Sequence, residues 1–185
     1  MDIVFRRLAD ADLPRLHAWL NEPGVVAWWE GDDVSWEAVV RDYGPANPDP
    51  AEHWIASAGG RDVGWIQCWA VADEPDECAP WFALGVDEAT AAGIDYLVGE
   101  PGDRGTGLGS AMIRAFVDDV VFGRHPRWRQ AAADPLAANV ASWRALEKAG
   151  FRLAGIVDGK DGPARLMVAD RGLPPAAPEG DGAPT

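Results

Sequence analysis

The chain contains a glycine-rich run, Arg104-Gly105-Thr106-Gly107-Leu108-Gly109-Ser110, which we call the glycine turn. It follows residues 93–99, which are rich in strand-forming side chains, and a segment with helical spacing starts within it at Gly107. Glycine lets the backbone turn tightly and leaves N–H groups uncovered at the start of the helix. Such a turn binds an anion, above all a phosphate, through fixed donors and the positive end of the helix dipole.

Three phosphate-binding patterns compete for the glycine turn. A Walker loop ends in Gly-Lys-Ser/Thr, and the turn contains no lysine. A dinucleotide-binding fingerprint needs glycine where Ser110 stands. The third pattern, Arg-x-x-Gly-x-Gly, is satisfied by Arg104, Gly107 and Gly109. On the glycines alone, a turn without a ligand stays open as an alternative.

The other segments predict an α/β domain with one mixed sheet and helices on both faces. The predicted strands are residues 3–5, 53–58, 62–72, 93–99, 128–133, 151–157 and 164–169, and the predicted helices are residues 13–20, 35–43, 107–121 and 139–149. Residues 73–90 mix acids and prolines with aromatic side chains, and we predict a loop with some helix there. The composition beyond Gly172 predicts a disordered C-terminal tail over residues 173–185.

The charge and cysteine content limit the possible partners. Thirty acidic residues against 16 basic ones give a net charge of −14, which disfavours nucleic acid and anionic membranes and favours a neutral or cationic partner. Cys68 and Cys78 are the two cysteines of the chain, and a cysteine-based metal site would need a second pair, so no metal site is predicted. We expect both to be reduced thiols in a cytoplasmic protein. Without a membrane span or signal peptide, we expect a soluble monomer or homodimer.

The glycine turn resembles the acetyl-CoA diphosphate loop of the GNAT superfamily of N-acyltransferases. Asn139 and the run Leu146-Glu147-Lys148-Ala149-Gly150-Phe151 resemble the closing helix of that superfamily. The resemblance implies the GNAT fold over residues 1–172: a twisted, mostly antiparallel sheet in which a bulged strand splays from its neighbour. It also implies acetyl-CoA as co-substrate, with the following cofactor-binding residues: Leu97, Val98, Arg104, Gly105, Thr106, Gly107, Leu108, Gly109, Ser110 and Asn139.

Within this superfamily the chain looks like the aminoglycoside 6'-N-acetyltransferases. The resemblance is carried by Trp19-Leu20-Asn21, Val26-Ala27-Trp28-Trp29, Gly93-Ile94-Asp95, Ala133-Asp134-Pro135 and Asp161-Gly162-Pro163-Ala164. It implies acetyl transfer to a primary amine of a cationic, aminoglycoside-like substrate, and a role in antibiotic resistance. The implied substrate-binding residues are Trp28, Trp29, Asp87, Glu88, Asp95, Asp134 and Asp161. Each Asp at a strand end is also typical of an ordinary turn or cap. Of the two tryptophans we expect one to point inward and one to line the cleft.

Asp95 is the predicted catalytic base, because it interrupts a strand that otherwise looks buried. Taking a proton from an ammonium group would require partial burial to raise its pKa. Leu146 stands where many family members place a tyrosine that protonates the leaving thiolate, so no acid is assigned. Two alternatives remain: a siderophore-biosynthesis N-acyltransferase acting on a lysine or hydroxylamine side chain, and a protein that binds cationic ligands without turnover.

Overall fold

A computed structural model describes residues 2–29, 31–159 and 161–172. One seven-stranded sheet has the order β1-β2-β3-β4-β5-β7-β6, in which neighbours are antiparallel except for the parallel pair β4–β5. The strands are β1 Ile3–Arg7, β2 Glu52–Ala58, β3 Arg61–Ala70, β4 Ala91–Val98, β5 Gln130–Ala133, β6 Arg152–Gly159 and β7 Gly162–Asp170. The helices are α1 Leu13–Leu20, α2 Pro23–Val26, α3 Trp36–Tyr43, α4 Pro75–Phe82, α5 Leu108–Phe116 and α6 Val140–Ala149. The mixed α/β prediction is confirmed.

Helices cover both faces of this sheet, because alternate strand residues point to opposite sides. Trp54 of β2 packs with Phe116 of α5 and Leu146 of α6 in one buried cluster. The next residue, Ile55, belongs instead to a cluster with Leu16 and Val39, on α1 and α3. Helix α4 lies on the same face of the sheet as α1 and α3. Ala132 of β5 is buried in one cluster with residues of α4, whereas the preceding Ala131 points to the other face and packs with α5 and α6. The core is therefore two apolar layers with the sheet between them.

Strands β4 and β5 diverge soon after they meet. Their parallel pairing covers only Ala91–Gly93 against Gln130–Ala132, whereas β4 remains paired with β3 as far as Val98. Beyond Gly93 the other edge of β4 is left open, which confirms the predicted splayed pair. The expected bulge in this strand is not found, because the β3–β4 register is unbroken. The separation comes from the departure of β5.

The structure corrects several predicted boundaries. The helix expected somewhere within residues 73–90 is α4, over residues 75–82, which buries Cys78 and Trp81 against the sheet. Helix α5 continues as a π-helix over Val117–Phe122, and β5 begins at Gln130 rather than at residue 128. The predicted disorder of residues 173–185 lies outside the described residues. Among the described helices, none combines the length and apolar character needed to cross a bilayer.

A bulkier residue at Gly93 tests the packing where the strands part. A Cβ atom at this position would lie 2.3 Å from the indole ring of Trp69 on the neighbouring strand. We expect Gly93→Ala to lower the free energy of unfolding by about 1–3 kcal/mol, because the ring or the backbone must shift. Urea unfolding measures the loss. Gly102→Ala is the control, because its Cβ would meet nothing within 4 Å; equal stability of the two variants would contradict the packing argument.

Candidate active site

The gap between β4 and β5 opens into a cavity of about 1050 Å³. Its wall includes most of the glycine turn, the exposed edge of β4, the segment after β5 and the face of α6. Residues of α2, α4 and the segment between α3 and β2 complete it. This volume is at the upper end of ordinary ligand pockets, so two ligands can lie side by side in it. The cavity is the candidate active site.

The glycine turn has the left-handed backbone that its sequence predicts. Gly105 and Gly107 have φ angles of 73° and 89°, and neither has an atom within 4 Å of its missing Cβ. Gly107 directly precedes α5, so the turn leaves open space at the N-terminus of that helix, where N–H groups lack helical partners. Gly109 and Ser110 also line the cavity. The arrangement suits an anion.

Two residues of the glycine turn do not line the cavity. The side chain of Thr106 donates from Oγ1 to the carbonyl of Asp103, at 2.6 Å, and so closes the turn before the helix. Leu108 is buried in the core beside Met112. These side chains therefore shape the turn, and the structure does not place them against a ligand.

Arg104 is directed toward the protein itself. Its Nη2 atom donates to the carbonyl of Gly99 at 3.0 Å, and its Nε atom donates to that of Val98 at 3.3 Å. Its Nη1 atom forms an ion pair with Glu22, which also caps α2 by accepting from the Gly24 N–H. The guanidinium thus joins the end of β4, the glycine turn and α2. We infer that it positions the turn.

The other predicted cofactor residues lie around the opening. Leu97 is buried and Val98 half-buried, and both line the cavity on β4. Asn139 caps α6, where its Oδ1 atom accepts from the Ser142 N–H at 3.2 Å, and it also borders the cavity. Arg144 and Lys148, which the sequence analysis did not select, line the cavity one and two turns further along α6. They bring positive charge to the side of the cavity near the glycine turn.

Asp95 lies on β4 and lines the cavity on the side of the sheet covered by α1, α3 and α4. Its Oδ2 atom accepts a hydrogen bond from Gln67 Nε2, at 2.7 Å, across the β3–β4 pair. The residue is exposed, so the expected partial burial is wrong for the free protein. Its apolar neighbours in sequence suggested burial, but β5 ends before it can cover this part of β4.

The carboxylates of the cavity differ partly from the predicted set. Asp134 lines it, and its Oδ2 atom accepts from Trp81 Nε1 at 3.0 Å. The predicted residues Asp87, Glu88 and Asp161 are not among the residues that line it. Asp87 accepts from the Ala89 N–H in an ordinary turn. The acids that the sequence analysis missed are Asp32, Asp49, Glu74, Glu77 and Asp158. They come from separate segments, so no local motif marks them.

The cavity wall carries seven carboxylates against three basic side chains. Burial raises the pKa of Glu74, and the nearby charge of Glu77 raises it further. Burial likewise raises the pKa of the Cys78 thiol to about 11, with contributions from Glu74 and Asp134. Burial is the main cause of both shifts, and the neighbouring carboxylates add to it. A ligand with several positive charges would relieve the repulsion between these carboxylates.

Aromatic rings form another part of the wall. Trp28 is 40% exposed, whereas Trp29 is partly buried and its ring lies 5.9 Å from that of Trp65. Both tryptophans line the cavity, although the ring of Trp29 also packs against Trp65 in the core. Tyr43, which the sequence analysis did not select, lies beside them, with its ring 5.4 Å from Trp65.

Leu146 is fully buried in the core and presents no proton donor to the cavity. The hydroxyl groups of Tyr96 and Ser142 lie 2.7 Å apart on the adjoining wall. Burial raises the pKa of Tyr96 beyond its usual range, so this hydroxyl stays protonated at neutral pH. Leu146 therefore cannot donate a proton in the cavity, whereas the Tyr96 hydroxyl lies on its wall.

A split strand pair, a glycine turn at a helix N-terminus and an acidic pocket beside them define an acyltransferase. The chain belongs to the family of acetyltransferase (GNAT) domains, whose model matches residues 9–159.

Relatives and solved structures agree with this family. The chain is 30% identical to aminoglycoside N(6')-acetyltransferase type 1 of Klebsiella pneumoniae over 173 residues, 91% of this chain and 83% of that protein. It is 27% identical to N(6)-hydroxylysine O-acetyltransferase of Escherichia coli over 171 residues, 89% of this chain and 51% of that protein. The crystal structure of aminoglycoside acetyltransferase AAC(6')-Ib with coenzyme A and kanamycin superposes with a TM-score of 0.79 and 30% identity, covering 92% of this chain and 95% of that one.

Replacing Arg104 tests its role in holding the turn. We expect Arg104→Gln to lower the free energy of unfolding by about 1–2 kcal/mol, since two carbonyls and Glu22 lose a charged donor. Arg61→Gln is the control, because the Arg61–Asp103 ion pair lies nearby with the Arg61 side chain 56% exposed. Its loss should cost at most about 0.5 kcal/mol. Denaturant unfolding of both variants measures this, and equal losses would contradict the positioning role.

Proposed function

We propose that this protein transfers the acetyl group of acetyl-CoA to a primary amine of an aminoglycoside-like substrate. The observation that carries the proposal is that one cavity is lined by two chemically different groups of residues, which come from the two layers on either face of the sheet. The glycine turn and the basic face of α6 suit a phosphorylated cofactor, and the carboxylates around Asp95 and Asp134 suit a polyamine. The similarity to aminoglycoside acetyltransferases, one of them solved with coenzyme A and kanamycin, supports both assignments.

The acetyl-CoA side uses backbone donors. N–H groups at the start of α5 bind the diphosphate, aided by the helix dipole. The open edge of β4 at Leu97 and Val98 pairs with the pantetheine arm, because β5 has already left that edge. Arg144 and Lys148 of α6 add positive charge to the cavity wall, and Asn139, at the start of the same helix, also lines the cavity. The thioester thus comes to lie beside β4.

The acceptor side works through charge and stacking. Carboxylates raise the local concentration of a cation and pair with its ammonium groups at short range. Exposed Trp28 offers a flat face to a sugar ring, and Tyr43 and Trp29 border the same region. Nucleic acid is disfavoured by the net charge of −14. We place the reaction in the cytoplasm, where Cys68 and Cys78 remain reduced thiols.

In the reaction, the acceptor arrives as an ammonium ion and gives one proton to Asp95, directly or through a water molecule. The free amine attacks the thioester carbonyl, and backbone N–H groups of β4 stabilise the oxyanion. The new C–N bond forms in this tetrahedral intermediate. When the intermediate collapses, the C–S bond breaks, coenzyme A leaves as a thiolate, and the thiolate takes up the second proton of the attacking nitrogen, directly or through water, so that a neutral amide and a free thiol result. A thiol pKa near 8.5 makes this leaving group acceptable without a tyrosine at Leu146.

A thiol-release assay tests the proposal. With acetyl-CoA, kanamycin should give amine-dependent release of free thiol, because its ammonium groups complement the acidic side of the cavity. A neutral disaccharide, which lacks an amine, is the control. The KM for kanamycin should rise with ionic strength, since salt screens the attraction.

Two other outcomes would replace the proposal. Preferential turnover of N6-hydroxylysine or lysine would favour the siderophore reaction, to which the Escherichia coli relative points. Kanamycin binding without thiol release would indicate a binding protein.

Asp95→Asn tests the catalytic base. We expect kcat to fall by at least about 100-fold, because the amide cannot accept the proton. The residual rate should increase with pH, as free amine accumulates without help from the enzyme. Asp87→Asn is the matched control, since Asp87 lies outside the cavity wall and should leave turnover unchanged. Steady-state kinetics over a pH series decide, and unchanged turnover in Asp95→Asn would reject this role.

A further inference from the structure

A second cluster of reactive side chains lies on the other face of the sheet. Glu52 of β2, Cys68 of β3 and His125, which follows the π-helix, have donor atoms within 4.8 Å of one another. Glu52 and Cys68 are directly paired across the β2–β3 ladder, so both side chains leave the same face. That face carries α5 and α6, opposite Asp95. None of the three residues lines the cavity described above.

Cys68 and His125 each bring a buried donor atom to the cluster. Cys68 is a fully buried free thiol. The Nε2 atom of His125 is buried and unpartnered, 3.6 Å from Oε2 of Glu52. Burial of a polar atom without a hydrogen-bond partner is unfavourable. A shared ligand would remove that cost.

The imidazole and the carboxylate are held in place by their surroundings. The ring of His125 stacks on the ring of Trp128, with centroids 3.9 Å apart. The backbone carbonyl of His125 accepts a hydrogen bond from Arg171 Nη2, at 2.8 Å. Arg7 forms an ion pair with Oε2 of Glu52, at 2.8 Å, and leaves Oε1 for another interaction. Contacts of this kind orient metal ligands in proteins.

We propose that Glu52, Cys68 and His125 bind a Zn²⁺ ion. A thiolate, an imidazole and a carboxylate are its usual protein ligands. A tetrahedral ion with bonds of about 2.0–2.3 Å keeps its ligand atoms roughly 3.3–3.8 Å apart. The donor atoms of the cluster lie within 4.8 Å of one another, so side-chain rotations that move them about 1 Å closer would give this geometry. The side chains of Glu52 and His125 are each 27% exposed, which leaves room for water as the fourth ligand. Binding releases the Cys68 proton to solvent, so affinity increases with pH.

Cobalt titration tests the proposal on the full chain, cleared of metal with a chelator and kept reduced. Co²⁺ should bind in one equivalent with a thiolate-to-metal charge-transfer band, and Zn²⁺ should displace it. Cys68→Ser should abolish the band, and His125→Gln should weaken Co²⁺ binding by at least about 100-fold, since a lost ligand costs no less than a lost supporting contact.

Cys78→Ser is the matched control, because Cys78 is also a buried free thiol but lies outside the cluster. It should retain both the band and the affinity. Absence of the band in the unaltered protein, or its survival in Cys68→Ser, overturns the proposal. If Cys68→Ser fails to fold, judged by circular dichroism, His125→Gln decides alone, and unaltered Co²⁺ affinity in that variant also overturns it. Thiol release from acetyl-CoA is a separate readout, because none of the three residues lines the cavity of the candidate active site.

Discussion

The separation of β4 from β5 governs the architecture of the candidate active site. A central strand normally forms backbone hydrogen bonds along both of its edges. In β4 the pairing with the parallel strand β5 ends at Gly93, while the pairing with the antiparallel strand β3 continues to Val98. Backbone groups on the open edge need other partners, and a peptide-like arm of a cofactor can supply them. The gap also gives the cavity access to the glycine turn, which ends the loop after the same strand. The chemistry therefore collects at a break in the sheet.

Around this break the protein separates positive from negative charge. Helix α6 packs in the same layer as α5, which begins at the glycine turn, whereas Asp95 and Asp134 face the layer that contains α4. Arg104 belongs to the glycine turn, yet its donors engage Glu22 and the end of β4. It therefore joins the cofactor side to α2, which leads directly to Trp28 and Trp29. On the acceptor side the pKa of Glu74 is raised, mainly by burial and further by the charge of Glu77.

Much of the cofactor side could be predicted from sequence because its causes are local. Gly107 has a positive φ angle that other residues rarely adopt, and it stands directly before a helix. The acceptor side was predicted less well. Asp87 forms an ordinary turn, whereas Asp158 and Glu74 reach the cavity from β6 and from the residue preceding α4. Asp95 was correctly placed in the cavity, but its exposure follows from the path of β5, which its own segment does not encode.

The sequence alone determined the elements whose signals lie within a few residues: the strand-forming run that became β4, the glycine turn, and the helix that follows Asn139. Only the tertiary structure decided which distant groups share a space. Neither the ring of carboxylates nor the trio of Glu52, Cys68 and His125 has a recognisable spacing along the chain. Local conformation depends on neighbours in sequence, but charge repulsion and metal coordination depend on distance in space, which strand register and helix packing set.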